Sequence, residues 1–185
     1  MKGNAMIAQV VEPYAGALMT LAQDTNKVEV FAENARALLA ILQESADFRS
    51  FVMNPLVKAE EKKSVLQAVC GKDVDNYFLS FLLLLVDRRR ITFLDGICEG
   101  FIALQRKLNN VVLADVTSAQ ALSADQEAAI ADQVKQMTGA SAVELNITTN
   151  ADLIGGVVIK VGSKVFDASL RGQLRRISMD LLGSN

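Results

Sequence analysis

The chain has no histidine and no tryptophan in 185 residues. Without an imidazole there is no His-based triad, no His metal ligand and no imidazole acid–base chemistry at neutral pH. Two cysteines occur, Cys70 and Cys98. They form no C-x-x-C pair and no zinc spacing, so they read as small buried apolar residues in a reducing compartment. Aromatic residues make up 5%. A surplus of one charge is missing too, with 19 basic residues against 21 acidic ones. A net charge of −2 argues against nucleic acid as the main partner, because phosphate binding needs a basic surplus. The longest apolar stretch, near Phe78 to Val86, falls far short of the ~20 residues a membrane span requires. The apolar segment Ala5–Val11 contains Gln9 and no cleavage-like small-residue pattern, so it is not read as a signal peptide.

Apolar residues make up 51%, enough for a sizeable core. Residues 1–110 are rich in Ala, Leu, Gln, Glu and Lys, and their apolar spacing predicts six helices. Pro13 suits the first turn of a helix running to about Gln23. Further helices are expected over about Lys27–Gln43, Ala46–Val52, Lys58–Val69, a fifth capped by Asp73 or Asp75 and reaching about Arg89, and a sixth ending near Leu108. Asn54-Pro55 ends the third, since the residue before proline avoids the helical region. After Asn109-Asn110 the composition turns β-branched. Val111–Thr117, Val143–Thr148, Val157–Val161 and Lys164–Ser169 alternate as strands, with Gly162-Ser163 as a two-residue hairpin turn. Ser123 with Gln126 forms a capping box, and Arg171–Leu182 closes as a helix. The expected fold is α+β, a six-helix bundle over 1–110 followed by a small β-α-β-β-α domain over 111–185. The halves carry 13 basic and 13 acidic residues, then 6 and 8, so neither is an electrostatic arm.

No constellation for catalysis, metal or cofactor binding emerges. Gly155-Gly156 and Gly162 do not match G-x-x-x-x-G-K-[ST] or G-x-G-x-x-G, and Ser163-Lys164 stands in the wrong order for a phosphate loop. The glycines read as backbone devices, a positive φ or bulge at a strand start and a hairpin. Asp95 and Glu99 share a helix face without an acid–base partner. Arg88-Arg89-Arg90 lacks an aromatic platform and suits a helix C-terminus. With Arg171, Arg175 and Arg176 it defines the alternative reading, an RNA- or ribosome-associated adaptor. The helix Tyr77–Val86 has one narrow polar strip, Asn76, Ser80 and Asp87, flanked by Leu83 and Leu84. Such a helix is either buried on nearly all sides or shares its apolar surface between its own bundle and a partner helix. The first helix carries a similar stripe, Tyr14, Ala17, Leu18 and Leu21. In the last helix Leu170, Leu174, Ile177 and Leu181 are spaced as a coiled-coil seam.

The segment Leu153–Leu174, LIGGVVIKVGSKVFDASLRGQL, resembles the C-terminal signature of the delta subunit of F-type ATP synthases, related to the mitochondrial oligomycin-sensitivity-conferring protein. Pro13-Tyr14-Ala15 with Ala17-Leu18 resembles the family's opening helix. Asn54-Pro55 and Asp87-Arg88-Arg89-Arg90 look closest to cyanobacterial and chloroplast members. The resemblance implies a non-catalytic, cofactor-free subunit that joins the catalytic head to the peripheral stalk, so that proton-driven rotation drives ATP synthesis. It implies a peripheral location on the cytoplasmic face of the energy-transducing membrane, a thylakoid. It implies that the first and fifth helices receive the N-terminal helix of an alpha subunit, with Tyr14, Leu18, Leu83, Leu84 and Asp87 as groove residues. The C-terminal ends of b-type stalk subunits are expected on Leu174, Ile177 and Leu181.

Overall fold

The computed structural model describes residues 2–71 and 74–182, with side chains over 9–71 and 74–176. Chain contacts divide it into two compact units, residues 1–105 and 106–185. Its class is α+β, with the helices gathered ahead of one mixed sheet.

The helical unit contains α1 (Lys2–Asp24), α2 (Val28–Glu44), α3 (Ala46–Met53), α4 (Ala59–Cys70), α5 (Asn76–Asp87) and α6 (Leu94–Leu108) up to its last turn, which from Arg106 is counted with the second unit. α1 does not begin at Pro13. It runs through that residue, which stands inside the helix. Proline's missing N–H forfeits one i→i−4 bond there, and the turns on both sides continue regardless. α2 buries Phe31, Ala35, Leu38 and Leu42, the periodic positions of its sequence. Asp75, rather than Asp73, caps α5, its carboxylate accepting from Tyr77 N at 2.9 Å; Asp73 lies outside the described residues. Lys27 reaches the same carboxylate at 2.7 Å and lies 5.2 Å over the Tyr77 ring. α5 stops at Asp87 because Arg89 turns left-handed, with φ 55°. Arg89 N and Arg90 N then donate back to the carbonyls of Val86 and Leu85 at 3.0 and 2.8 Å, a Schellman closure built without glycine. The core centres on Phe31, Phe78 and Phe101, all fully buried. Phe31 meets Phe78 edge-on at 5.6 Å, and the Phe101 ring lies tilted to it at 6.4 Å. Gly96 and Gly100 let α6 approach α1, since a Cβ at Gly100 would sit 3.1 Å from Ala15 Cβ.

The second unit contains β1 (Val111–Ser118), α7 (Ala124–Thr138), β2 (Ala142–Thr149), β3 (Val157–Val161), β4 (Lys164–Asp167) and α8 (Leu170–Leu182). Its order is therefore β-α-β-β-β-α, one strand more than the β-α-β-β-α shorthand. Gly162 and Ser163 split the last β-rich stretch into two antiparallel strands, Val161 pairing with Lys164. Gly162 takes φ 57° at the first turn position, the conformation a Gly-first hairpin requires. The sheet order is β2-β1-β3-β4, with β1 and β2 parallel across the α7 crossover. Ala114, Val116 and Ile159 face Ile130 and Val134 of α7. Both halves of the Ser123–Gln126 capping box are made.

Candidate functional site

In α5, Phe78, Phe81, Leu82, Leu85 and Val86 turn inward, while Asn76, Tyr77, Ser80, Leu84 and Asp87 face outward. Burial of one wide face leaves Tyr77 51% and Leu84 44% exposed, two turns apart on the same stripe. Tyr14 of α1 is half-buried and meets Phe81 edge-on at 6.5 Å, which fixes the flank of α5 that neighbours α1. At 100° per residue Leu84 lies about 60° from Phe81, and Leu83 about 160°. Leu84 thus lies midway between Phe81, which meets Tyr14, and Asp87, which is paired with α4, and Tyr77 lies about 40° from Phe81. Leu83, half-buried, stands on the α4 side near Val86.

Two of the expected groove residues are placed differently. Leu18 is 1% exposed and belongs to the helical core, so it supports the surface from below and cannot line it. The apolar stripe of α1 had two possible uses, and packing took Ala15, Leu18, Met19 and Ala22 for the interior. Asp87 is exposed, but its carboxylate is held by Lys63 of α4 at 2.6 Å, turned towards α4. That contact keeps the Lys63 ammonium protonated to higher pH than usual. Tyr77 and the exposed Ala17 of α1 join the surface without having been singled out as groove residues. The i, i+7 spacing of Tyr77 and Leu84 was the signal available for Tyr77.

The second surface lies at the β4–α8 junction. Gly156, at φ 78°, passes so close to the Ala168 carbonyl that any Cβ would overlap it. Ala168 N donates to Val157 O at 3.0 Å, and Leu170 N to Gly155 O at 2.9 Å, so the glycine pair anchors the start of α8. Asp167 accepts from the backbone N and the hydroxyl of Ser169 at 2.9 and 2.6 Å, and Ser169 Oγ accepts from Gly172 N at 3.0 Å. Those bonds hold the Asp167 carboxyl below its ordinary pKa, with the charges of Arg176 and Arg175 adding to them. The result is a rigid cap that sets the direction of α8. Leu170 and Leu174 are exposed, 47% and 59%, on its first turns. The side chains of Ile177 and Leu181 lie outside the described residues.

Elsewhere the chemistry is quiet. Cys70 and Cys98 are buried, and burial, with the charges of Asp95 and Glu99 adding to it, pushes the Cys98 thiol up to about 12. Asp95 is engaged by Arg49 at 2.8 Å. Arg88, Arg89 and Arg90 are exposed at the end of α5, and Arg171, Arg175 and Arg176 on α8. No group of three or more metal-ligating side chains converges among the described residues. None of their helices is long and apolar enough to cross a membrane.

Comparison with known proteins gives these surfaces a context. Residues 10–181 match the family model described as ATP synthase delta (OSCP) subunit. ATP synthase subunit delta of a Picosynechococcus species is 85% identical over 185 residues, all of both chains. Its counterpart from Crocosphaera subtropica is 51% identical over the same full lengths. A chain in the cryo-EM structure of the Toxoplasma gondii mitochondrial ATP synthase hexamer superposes with a TM-score of 0.75 at 26% identity, covering 94% of this chain and 97% of that one.

Proposed function

Since this chain belongs to the ATP synthase delta (OSCP) family, we propose that its two surfaces hold two different parts of that machine. The chain is a structural, non-catalytic subunit that links the catalytic head to the peripheral stalk and resists rotor torque. Residues 1–110, read as a six-helix bundle, receive the N-terminal helix of an alpha subunit between α1 and α5. Residues 111–185, with their β-α-β-β-β-α order, present α8 to the C-terminal ends of b-type stalk subunits. The assembly sits peripherally on the cytoplasmic face of the energy-transducing membrane, the thylakoid.

The observation that carries this reading is the pair Tyr77 and Leu84, the exposed apolar side chains of a helix whose opposite face is fully buried, with Tyr14 of α1 against its Phe81. An amphipathic helix laid along that surface covers both apolar side chains and leaves the inward face of α5 undisturbed. Tyr14 and Leu84 are the principal contacts, with Tyr77 added. Leu83 and Asp87 belong to the α4 flank. The measurement is titration of an alpha-subunit N-terminal peptide against the full chain. Leu84→Asp is expected to weaken binding at least tenfold, about 1.4 kcal/mol, with unchanged helical content. Unaltered affinity removes α5 from the interface. For the second surface, truncation after Gly172 removes Leu174 and the rest of α8. It is expected to abolish stalk-subunit binding while alpha-peptide binding persists. Stalk binding that survives the truncation places the contact elsewhere.

A further inference from the structure

On the α4 flank of α5 lies a cavity of about 470 Å³ that the two surfaces above do not use. Its walls come from the Pro55–Ala59 connection, from Lys62 of α4, and from the end of α5 and the turn after it. The lining is divided by chemistry. Val57, Val86 and Ile91 form an apolar side, and Lys58, Lys62 and Arg89 bring three cations, with no carboxylate among the lining residues.

Lys62 is the unusual member. It is only 5% exposed, and its ammonium donates to one protein acceptor, the Val52 carbonyl at 2.6 Å. An ammonium has three N–H donors, and a buried cation satisfied by a single neutral carbonyl is expensive to hold. Its desolvation lowers the Lys62 pKa. The Val52 carbonyl belongs to the last turn of α3, so Lys62 tethers α3 to α4, but that tether uses one donor only. Arg89 reaches the cavity from a left-handed backbone position that favours glycine, held there by the Schellman closure. At α4, the N-cap residue Lys58 makes no side-chain cap bond, so the first-turn amides carry no such acceptor either. Three cationic residues, Lys58, Lys62 and Arg89, therefore line one space beside an apolar wall.

We propose that this cavity binds an amphiphilic anion, an oxyanion headgroup seated between Lys62, Lys58 and Arg89 with a short apolar body against Val57, Val86 and Ile91. The charge supplies a counter-ion for the Lys62 ammonium, whose one protein acceptor is the neutral Val52 carbonyl, and Leu56, 89% exposed, stands at the rim. The volume suits a small molecule with a chain of up to about eight carbons beyond its headgroup.

The test is a nuclear magnetic resonance titration of the full chain with octyl phosphate, octanoate, octanol and inorganic phosphate. Octyl phosphate and octanoate are expected to give saturable shifts centred on Val57, Val86 and Ile91, and the tighter of the two identifies the headgroup. Octanol and inorganic phosphate are expected to bind at least tenfold more weakly. Arg89→Gly removes a cation while suiting the left-handed backbone, so it is expected to weaken the anions tenfold or more without lowering the melting temperature. Lys62→Met is expected to do the same to binding, whatever its effect on stability. Equal affinity of parent and Arg89→Gly, octanol or inorganic phosphate binding as tightly as octyl phosphate, or no saturable binding below micelle formation would each overturn the proposal.

Discussion

The helical unit and the sheet unit reach burial by different means. The first is built around large rings, Phe31, Phe78 and Phe101 at 0% exposure, with leucines and isoleucines between them. The second relies on Ala114, Val116 and Ile159 of the sheet against Ile130 and Val134 of α7, side chains of small to moderate size. Its edge strand β4 is exposed at all four residues and is paired on one side only. Burial per side chain is larger in the first unit, at roughly 25 cal/mol per Å² of apolar surface. The second compensates with backbone constraints, the Gly156 crossing, the Gly162 hairpin and the Asp167–Ser169 cap. A unit that packs rings is broken by cavities. A unit that packs little is broken by backbone changes.

That contrast can be tested in decreasing order of effect. Phe31→Ala should cost about 3–5 kcal/mol, read by denaturant unfolding with circular dichroism. Hydrogen-exchange protection over β1 and β3 should stay near the parent's. Equal loss of protection in both units would show one cooperative core and break the comparison. Gly156→Ala should cost about 2–3 kcal/mol, because it combines a positive φ with overlap on Ala168. Its signature is faster exchange at the Ala168 and Leu170 amides, whose acceptors lie on Val157 and Gly155. Gly162→Ala is the matched control, since a Cβ there meets nothing. Only the backbone term remains, about 1 kcal/mol.

Asp75→Ala should cost about 1–2 kcal/mol at pH 7 through the lost cap of α5. The Lys27 contact, followed by the bond from Tyr77 N, keeps the Asp75 pKa below its ordinary 3.8. A carboxyl lowered in the folded state adds stability above its unfolded pKa. That contribution disappears as pH falls from 3.8 through the folded value. The difference between parent and Asp75→Ala should therefore shrink in that acidic window. A gap that stays constant into acid would remove the Asp75 charge from the account.

Much of the fold is local and was readable as such. The α2 periodicity, the Ser123–Gln126 box and the Gly162-Ser163 turn each depend on residues within a few positions of one another, and all appear as read. Leu18 and Leu84 show where that legibility stops. Both are leucines at helical spacing in apolar-rich helices, yet one is buried and the other 44% exposed. The difference lies in which neighbours pack against each helix face, and the sequence around each residue does not carry it. The same holds for Asp87, whose direction is decided by Lys63 twenty-four positions earlier.

Taken alone, the sequence determined the α+β class, the change of character after Asn109-Asn110, the lack of a His-based catalytic apparatus and the family signature in Leu153–Leu174. These follow from composition, short-range periodicity and turn chemistry. Tertiary structure decided that α1 runs through Pro13, that β3 rather than β2 lies beside β4, and that Tyr77 and Leu84 instead of Leu18 reach the surface. It also brought Lys58, Lys62 and Arg89 around one cavity from separate segments. The physical reason is common to these last cases. Burial and charge proximity are sums over neighbours distant in sequence, and only the packed chain specifies which neighbours those are.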